Sequence, residues 1–256
     1  MGWILAKRDM TNRYANSFFG TSWNVGVPLI YASVNAIVFS ILMGNRLGVH
    51  ELKVPYVLYY FIPFSLWVYF SDVVNRSTGI FREYKHLITK ISFPFWVVPL
   101  IPIVSAFLNQ FILFTIILFL FFFFKIPLSI SCFTFFFLWI LNLLLTIGCS
   151  YLVSSISVYI PDFSQIIPLG LNILFWITPI LYPIELVQKN GHILVQTIII
   201  SLNPFSHMAI LSRESLLGDL SLHGSSILFF TTFSIIMFTL GILFFKKLKS
   251  GFADVI

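Results

Sequence analysis

Apolar residues run along this chain in long blocks, separated by short polar segments. Six blocks, at 24–44, 56–75, 97–124, 129–156, 164–184 and 226–245, reach the roughly 20 residues that a helix needs to cross a bilayer. The third and fourth exceed that length, so tilt or a turn ahead of the membrane is expected. Pro94, Pro99 and Pro102 fit an irregular start to the third block, because proline has no N–H to donate. Pro168 and Pro179 predict kinks in the fifth. Residues 185–225 form the longest connection. Within it HILVQTIIISL is apolar but short, Asn203-Pro204 breaks it, and PFSHMAILSRESLLG reads as a second short helix with Gly218 as its stop. Two short external helices dipping into the outer leaflet are expected. The alternative is a seventh span, which would turn the C-terminal segment outward.

Two polar stretches interrupt the pattern. Residues 8–23, RDMTNRYANSFFGTSW, precede the first block. At about 100° per residue, Trp3, Met10, Tyr14 and Phe18 share one helix face, and Asp9, Asn12, Arg13 and Asn16 share the other. That predicts a helix over 1–22 lying in the membrane interface with its charged groups in water. Lys7 snorkels from the apolar side, and Gly20 offers a turn into the first span. Residues 76–94, RSTGIFREYKHLITKISFP, form the other stretch. Gly79 opens a short amphipathic helix, IFREYKHLITK, which Pro94 ends, and its basic and aromatic side chains suit a protein contact as well as a membrane surface.

Composition agrees with the blocks. Of 256 residues, 59% are hydrophobic and 9% charged, with a mean hydropathy of +0.98, too little charge for the surface of a soluble domain of this length. The net charge of +6 is therefore assigned to topology and anionic lipid rather than to nucleic acid. With both termini inside, ten Lys and Arg fall on cytoplasmic segments and five outside, as the positive-inside bias requires. Residues 1–20 lack the apolar core and cleavage site of a secretory leader, so none is expected. If Cys132 and Cys149 share one helix, they stand roughly 25 Å apart and cannot pair.

No catalytic chemistry emerges. The chain contains no phosphate-loop, HExxH or dinucleotide motif, and its five histidines lack ligand spacing. No metal site or bound cofactor is expected. Asp72 lies near a span end, where a snorkelled or Arg76-paired structural role is expected. Ser33, Asn35, Asn109, Gln110, Asn142, Thr146 and Asn172 are the polar residues at membrane depth, suited to hydrogen bonds between helices. No acidic relay or charged ring suggests a self-powered pump or an ion pore. Aromatic residues crowd the second block from Tyr56 to Phe70. They suit either a surface along which a sugar chain slides or a belt facing lipid. The run Phe121 to Phe124 covers every side of its helix, so most of it faces lipid.

In order along the chain, Arg8-Asp9, Arg13-Tyr14, Ser17, Phe19-Gly20, Trp23 and Pro28-Leu29, then TGIFREYKHLITKISFP, TPILYPIE, LNPF and FADVI, resemble the ABC type 2 permeases that export cell-surface polysaccharides, including O-antigen, capsule and teichoic acid. The resemblance runs from about residue 5 to 256. It implies an all-α integral membrane domain over 1–256 with six transmembrane helices, both termini cytoplasmic, forming a homodimer in the bacterial inner membrane. Spans 1–5 would occupy 24–184 and span 6 would occupy 226–245, with the coupling loop at 76–94 and an external gate region at 185–225. It further implies two copies of a separate ATP-binding cassette subunit, which would use ATP and magnesium, and a substrate carried on undecaprenyl diphosphate, O-antigen of lipopolysaccharide foremost.

By the same resemblance, Gly79, Ile80, Phe81, Arg82, Glu83, Tyr84, Lys85 and His86, with Asp162, would couple to the ATPase. Arg8, Arg13, Tyr14 and Trp23 would shape the entrance, and Tyr182, Asn203, Pro204 and Arg213 the external gate. One departure stands out: after the fourth span, where the family has N-x-x-[YF]-R-D, this chain has Ser157-Val158-Tyr159-Ile160-Pro161-Asp162. Two other functions compete with polysaccharide export. One is export of a drug or other small molecule by the same architecture. The other is a polyprenyl-linked glycan polymerase or ligase, for which Glu51, Glu185, Glu214 and Asp219 form no paired constellation.

Overall fold

The computed structural model describes residues 9, 17–43, 55–86, 94–127, 132–217 and 224–252, and among these every regular element is helical. The principal helices are α1 (Trp23–Met43), α2 (Tyr56–Ser77), α3 (Ile80–Glu83), α4 (Leu100–Phe123), α5 (Cys132–Tyr159) and α6 (Phe163–Ile177). They are followed by α7 (Ile184–Asn190), α8 (Ile193–Gln196), α9 (Pro204–Leu217) and α10 (Gly224–Leu248). Among the described residues four segments are long and apolar enough to cross a membrane: Tyr56–Ser77, Phe95–Phe123, Cys132–Tyr159 and Gly224–Gly251. A fifth is reached if Ile193–Ser201 and Pro204–Leu217, bent by 68° at their junction, form one broken span. Ahead of α1, Gly20 takes a φ of +50° in the turn, a left-handed conformation that glycine adopts without the steric penalty of a Cβ.

The fifth apolar block departs from expectation. Its helix stops at Ile177 rather than running to 184. Thr178 is extended, with φ −79° and ψ 134°, the conformation that a following proline ring imposes. Pro179 therefore ends α6 instead of kinking it, while Pro168 lies inside the helix. Fifteen residues span about 22 Å at ~1.5 Å per residue.

Helix α2 is the centre of the protomer: 16 of its 22 residues are buried. The aromatic crowd on it therefore packs inside the protomer rather than forming a lipid belt, and Phe64, Trp67 and Tyr69 reach the wall of a cavity. Tyr60 stacks on Phe64 with ring centroids 4.8 Å apart, and Phe70 meets Phe205 of α9 at 4.5 Å. Of the Phe121–Phe124 run, Phe121 is buried and the other three are exposed, consistent with three rings facing lipid.

The closest helix contact is between α5 and α10. A Cβ placed on Gly148 would collide with the backbone of Met237 and Phe238, and one on Gly241 with the backbone of Gly148. Lipid tails are as apolar as leucine, so helices in a bilayer associate through such close backbone packing. The two helices end together, where Tyr159 Oη donates to Leu248 O at 2.8 Å. Around that end Ile80, Phe81, Val98, Ile101, Tyr151, Phe245 and Phe252 form a separate apolar cluster. Arg76, Arg82, Lys85, Lys246, Lys247 and Lys249 lie at this same end, which we call the basic end.

Replacing Gly241 by leucine is expected to force the two backbones apart and lower stability by about 1–3 kcal/mol, the range for overpacked cores. Thermal unfolding of detergent-solubilised protein will measure it. Gly26→Ala serves as the control: among the described residues its Cβ would meet Trp23 Cε3 at 3.7 Å, an ordinary contact.

Candidate functional site

Helices α1, α2, α4 and α6 line a half-open cavity of about 640 Å³, within the size range of ligand pockets. Its walls pair aromatic rings with amides. Trp23 and Tyr31 come from α1, Phe64, Trp67 and Tyr69 from α2, and Phe175 and Trp176 from α6, alongside Asn35, Asn75, Asn109, Gln110 and Asn172. The membrane-depth polar residues thus divide. Asn142 donates to Leu66 O at 3.1 Å and Asn35 to Tyr60 Oη at 3.3 Å, both between helices. Thr146 bonds within its own helix, to Asn142 O at 2.6 Å. Asn109, Gln110 and Asn172 line the cavity, as Asn35 also does. Spacing along a helix does not separate these groups; only the packing does. Trp23, expected at an entrance, is on the cavity wall, whereas Arg8, Arg13 and Tyr14 lie outside the described residues.

At the basic end, charges converge on Arg76. Asp9, expected on a solvated face, is 4% exposed and paired with the Arg76 guanidinium. The apolar moment of the 1–22 segment did not anticipate this, because the partner sits 67 residues away. Arg76 also donates to Ser105 Oγ at 2.6 Å and lies 3.9 Å from Asp72, so the expected Asp72–Arg76 pairing is present. Glu83 stands near the same group. Partial desolvation and the Asp9 carboxylate raise its pKa, and Arg76 pulls it down.

Helix α3 divides the predicted coupling residues between two faces. Ile80, Phe81 and Tyr84 are buried, Phe81 with its ring 4.9 Å from Phe252. Arg82, Glu83, Lys85 and His86 are exposed, and Gly79 caps the start. The regular helix spans only Ile80–Glu83 before Tyr84 turns it, with residues 85–86 helical again; residues 87–93 lie outside the described set. Asp162 is exposed at the start of α6, where its carbonyl accepts from Gln165 N at 2.9 Å and Ile166 N at 3.0 Å.

At the opposite end, three predicted gate residues converge on the segment 178–182. Asn203 donates to Thr178 Oγ1 at 2.9 Å, and its Oδ1 accepts from Phe205 N at 3.0 Å, capping the helix that Pro204 begins. Tyr182 Oη donates to Ile177 O at 2.8 Å. Arg213, 6% exposed, donates from Nε to Tyr59 O at 3.0 Å and from an Nη to Ile180 O at 2.6 Å, with its guanidinium 3.7 Å from the centre of the Tyr59 ring. Tyr56 Oη donates to Leu181 O. Tyr56, Tyr59 and Thr178 were not singled out as gate residues by the sequence; the aromatic excess on α2 was the trace they left.

A bundle of apolar helices around an aromatic and amide-lined cavity, with charges gathered at one end, defines a multi-pass membrane protein. Residues 2–217 match the ABC-2 type transporter family, and the chain belongs to that family. Membership implies an ABC ATPase partner and a bilayer setting. Two proteins of Klebsiella pneumoniae, each called O-antigen export system permease protein RfbA, are 26% identical over 256 residues, covering 99% of this chain and 93% of theirs. A Myxococcus xanthus protein of the same description is 23% identical over 200 residues, covering 78% of this chain and 74% of its own.

Charge reversal tests the Arg76 centre. Asp9→Arg or Arg76→Asp alone is expected to lose about 1.5–3 kcal/mol, the worth of a hydrogen bond to a charged group, and to accelerate proteolysis of the N-terminal segment. The double swap should restore part of the protection. At the other end, Arg213→Lys keeps the charge but not the fork, and should lower thermal stability by about 1–3 kcal/mol as buried carbonyls lose donors.

Proposed function

We propose that this chain is the membrane-spanning permease subunit of an ATP-driven exporter that moves undecaprenyl-diphosphate-linked polysaccharide, O-antigen foremost, across the bacterial inner membrane. The observation that carries the reading is the full-length similarity to the two Klebsiella pneumoniae O-antigen export permeases. The cavity supports it: aromatic faces beside amides suit a hydroxyl-rich polymer that must pass without being held tightly. In this reading α1, α2, α4, α5, α6 and α10 are the six spans, and the positive-inside bias assigns the basic end to the cytoplasm. In this reading a homodimer encloses the path. The apolar residues Ile166, Leu169 and Ile173, exposed on α6, suit the facing subunit.

The ATPase docks on the exposed side of α3. Arg82, Glu83, Lys85 and His86 meet it, while Ile80, Phe81 and Tyr84 transmit its movement by packing on α10. Asp162 supplies the second contact. ATP and magnesium stay with the ATPase; the permease contributes positioning and a path. Opposite, α8 and α9 form the gate, latched by Asn203 and Arg213 on the segment 178–182.

Arg82→Glu and Lys85→Glu are expected to leave membrane insertion intact and to lower glycan export at least severalfold while ATP hydrolysis continues. Surface-glycan staining beside ATPase assays will measure both. Full export in the two variants would remove α3 from the coupling role. Surface glycan that is unchanged when the chain is deleted would contradict the exporter reading itself.

A further inference from the structure

Phe252 follows the helical turn Lys249–Gly251 at the end of α10 and is 0% exposed. Lys246, Lys247 and Lys249 ahead of it are exposed, so the ring returns to the protein after the chain has left its apolar run. Its centroid lies 4.9 Å from that of Phe81 on α3, 5.8 Å from Phe95 and 5.7 Å from Phe245 on α10, all edge-to-face. Ring quadrupoles favour that arrangement. Tyr159, the last residue of α5, lies 6.0 Å away. The segment is also fixed through its backbone: Tyr159 Oη accepts no Cβ at Gly251, which it closely approaches, and donates to Leu248 O at 2.8 Å. Phe81 and Phe95 stand on either side of the polar stretch 82–94, and Tyr159 leads into the α5–α6 turn that holds Asp162. One buried ring thus touches both flanks of the first basic loop and the start of the second. The regular part of α3 is Ile80–Glu83, far shorter than the ~12–15 residues a helix needs to persist unaided in water. Its position is therefore set by what it packs on.

We propose that Phe252 is a positioning residue that ties α3 and the α5–α6 turn into one rigid docking surface, so that the ATPase moves both together. The proposal rests on the reading of α3 and Asp162 as the ATPase contacts and goes beyond it, because it makes the segment after α10 part of the coupling apparatus. Close-packed interiors transmit displacement instead of absorbing it. With the ring in place, a push on Phe81 is passed to Phe245 and Tyr159, and so to α10 and α5. Without it, α3 shifts against the α5–α6 turn and the push is lost between them.

Pulsed electron paramagnetic resonance on the full-length permease in lipid nanodiscs tests the tie. Spin labels are placed on Arg82→Cys and Asp162→Cys, both exposed positions, in a Cys132→Ala, Cys149→Ala background. Labelled chain is diluted with unlabelled chain so that distances within one protomer are read. A narrow distance distribution is expected. Phe252→Ala should widen it roughly twofold as a close-packed contact is lost, and Phe252→Leu, which keeps most of the apolar bulk, should restore most of the narrow width. Gly251→Ala, which displaces the Tyr159 hydroxyl, should widen it as well and reports even if Phe252→Ala fails to fold. Phe230→Ala is the control: it removes an equally buried ring of α10 and should lower thermal stability comparably without changing the width. With the ATPase subunit in proteoliposomes, glycan exported per ATP hydrolysed should fall severalfold in Phe252→Ala and stay unchanged in Phe230→Ala. An unchanged width in both Phe252→Ala and Gly251→Ala, equal widening in Phe230→Ala, or an unchanged export ratio in Phe252→Ala would overturn the proposal and leave Phe252 a core ring. The distance measurement needs neither ATPase nor glycan, so its failure strikes the tie alone. Absence of ATPase-dependent export in the unaltered chain would strike the exporter reading instead, and the coupling role proposed for Phe252 with it.

Discussion

The close approach of α5 and α10 at Gly148 and Gly241 is the contact on which the rest of the molecule is built. Between two helices in lipid, hydrophobic burial supplies little net attraction, so backbone-to-backbone packing has to do the joining. Two glycines facing each other permit an approach that any Cβ would prevent. Because the helices run in the same direction and finish side by side, their ends form a platform. Phe245 and Phe252 then receive Phe81, and Ser150 of α5 bonds both Ser77 Oγ at 2.8 Å and Pro99 O at 3.0 Å. The short helix α3 is thus held by a helix pair that cannot slide without separating at its tightest point.

From that platform a mechanical division follows. Helix α2 joins the two ends of the protomer. At the basic end its Arg76 gathers Asp9, Asp72 and Ser105. At the other, Tyr56 and Tyr59 hold the segment after α6 and the Arg213 guanidinium. Between these ends its flank faces the cavity through Phe64, Trp67 and Tyr69. A push on α3 would therefore reach the cavity and the distant latch through one rigid helix.

Much of the architecture was legible in the apolar blocks, because a bilayer demands continuous runs that a short sequence window detects. The break at Asn203-Pro204 and the pairing of Asp72 with Arg76 were legible for the same reason: their causes are local. The end of α6 was misplaced although Pro179 was in view; hydropathy ran on past the proline, and backbone sterics stopped the helix first. Asp9 was misread because helical periodicity compares a residue only with its near neighbours, and its partner Arg76 belongs to another helix. The aromatic crowd on α2 posed a question that composition could not answer, since a buried ring and a lipid-facing ring are the same residue. Gln110 was visible as a polar residue at depth, but its place on the cavity wall emerges only once the helices are assembled.

The central claim is that this permease moves a glycan only when an ATPase drives it. The most direct measurement is reconstitution into proteoliposomes with the ATPase subunit, lipid-linked glycan supplied on the ATPase side and lectin binding read on the other. The account predicts glycan on the far side that requires both the ATPase and hydrolysable ATP. Transfer by the permease alone, or no transfer with both subunits and ATP present, would contradict it.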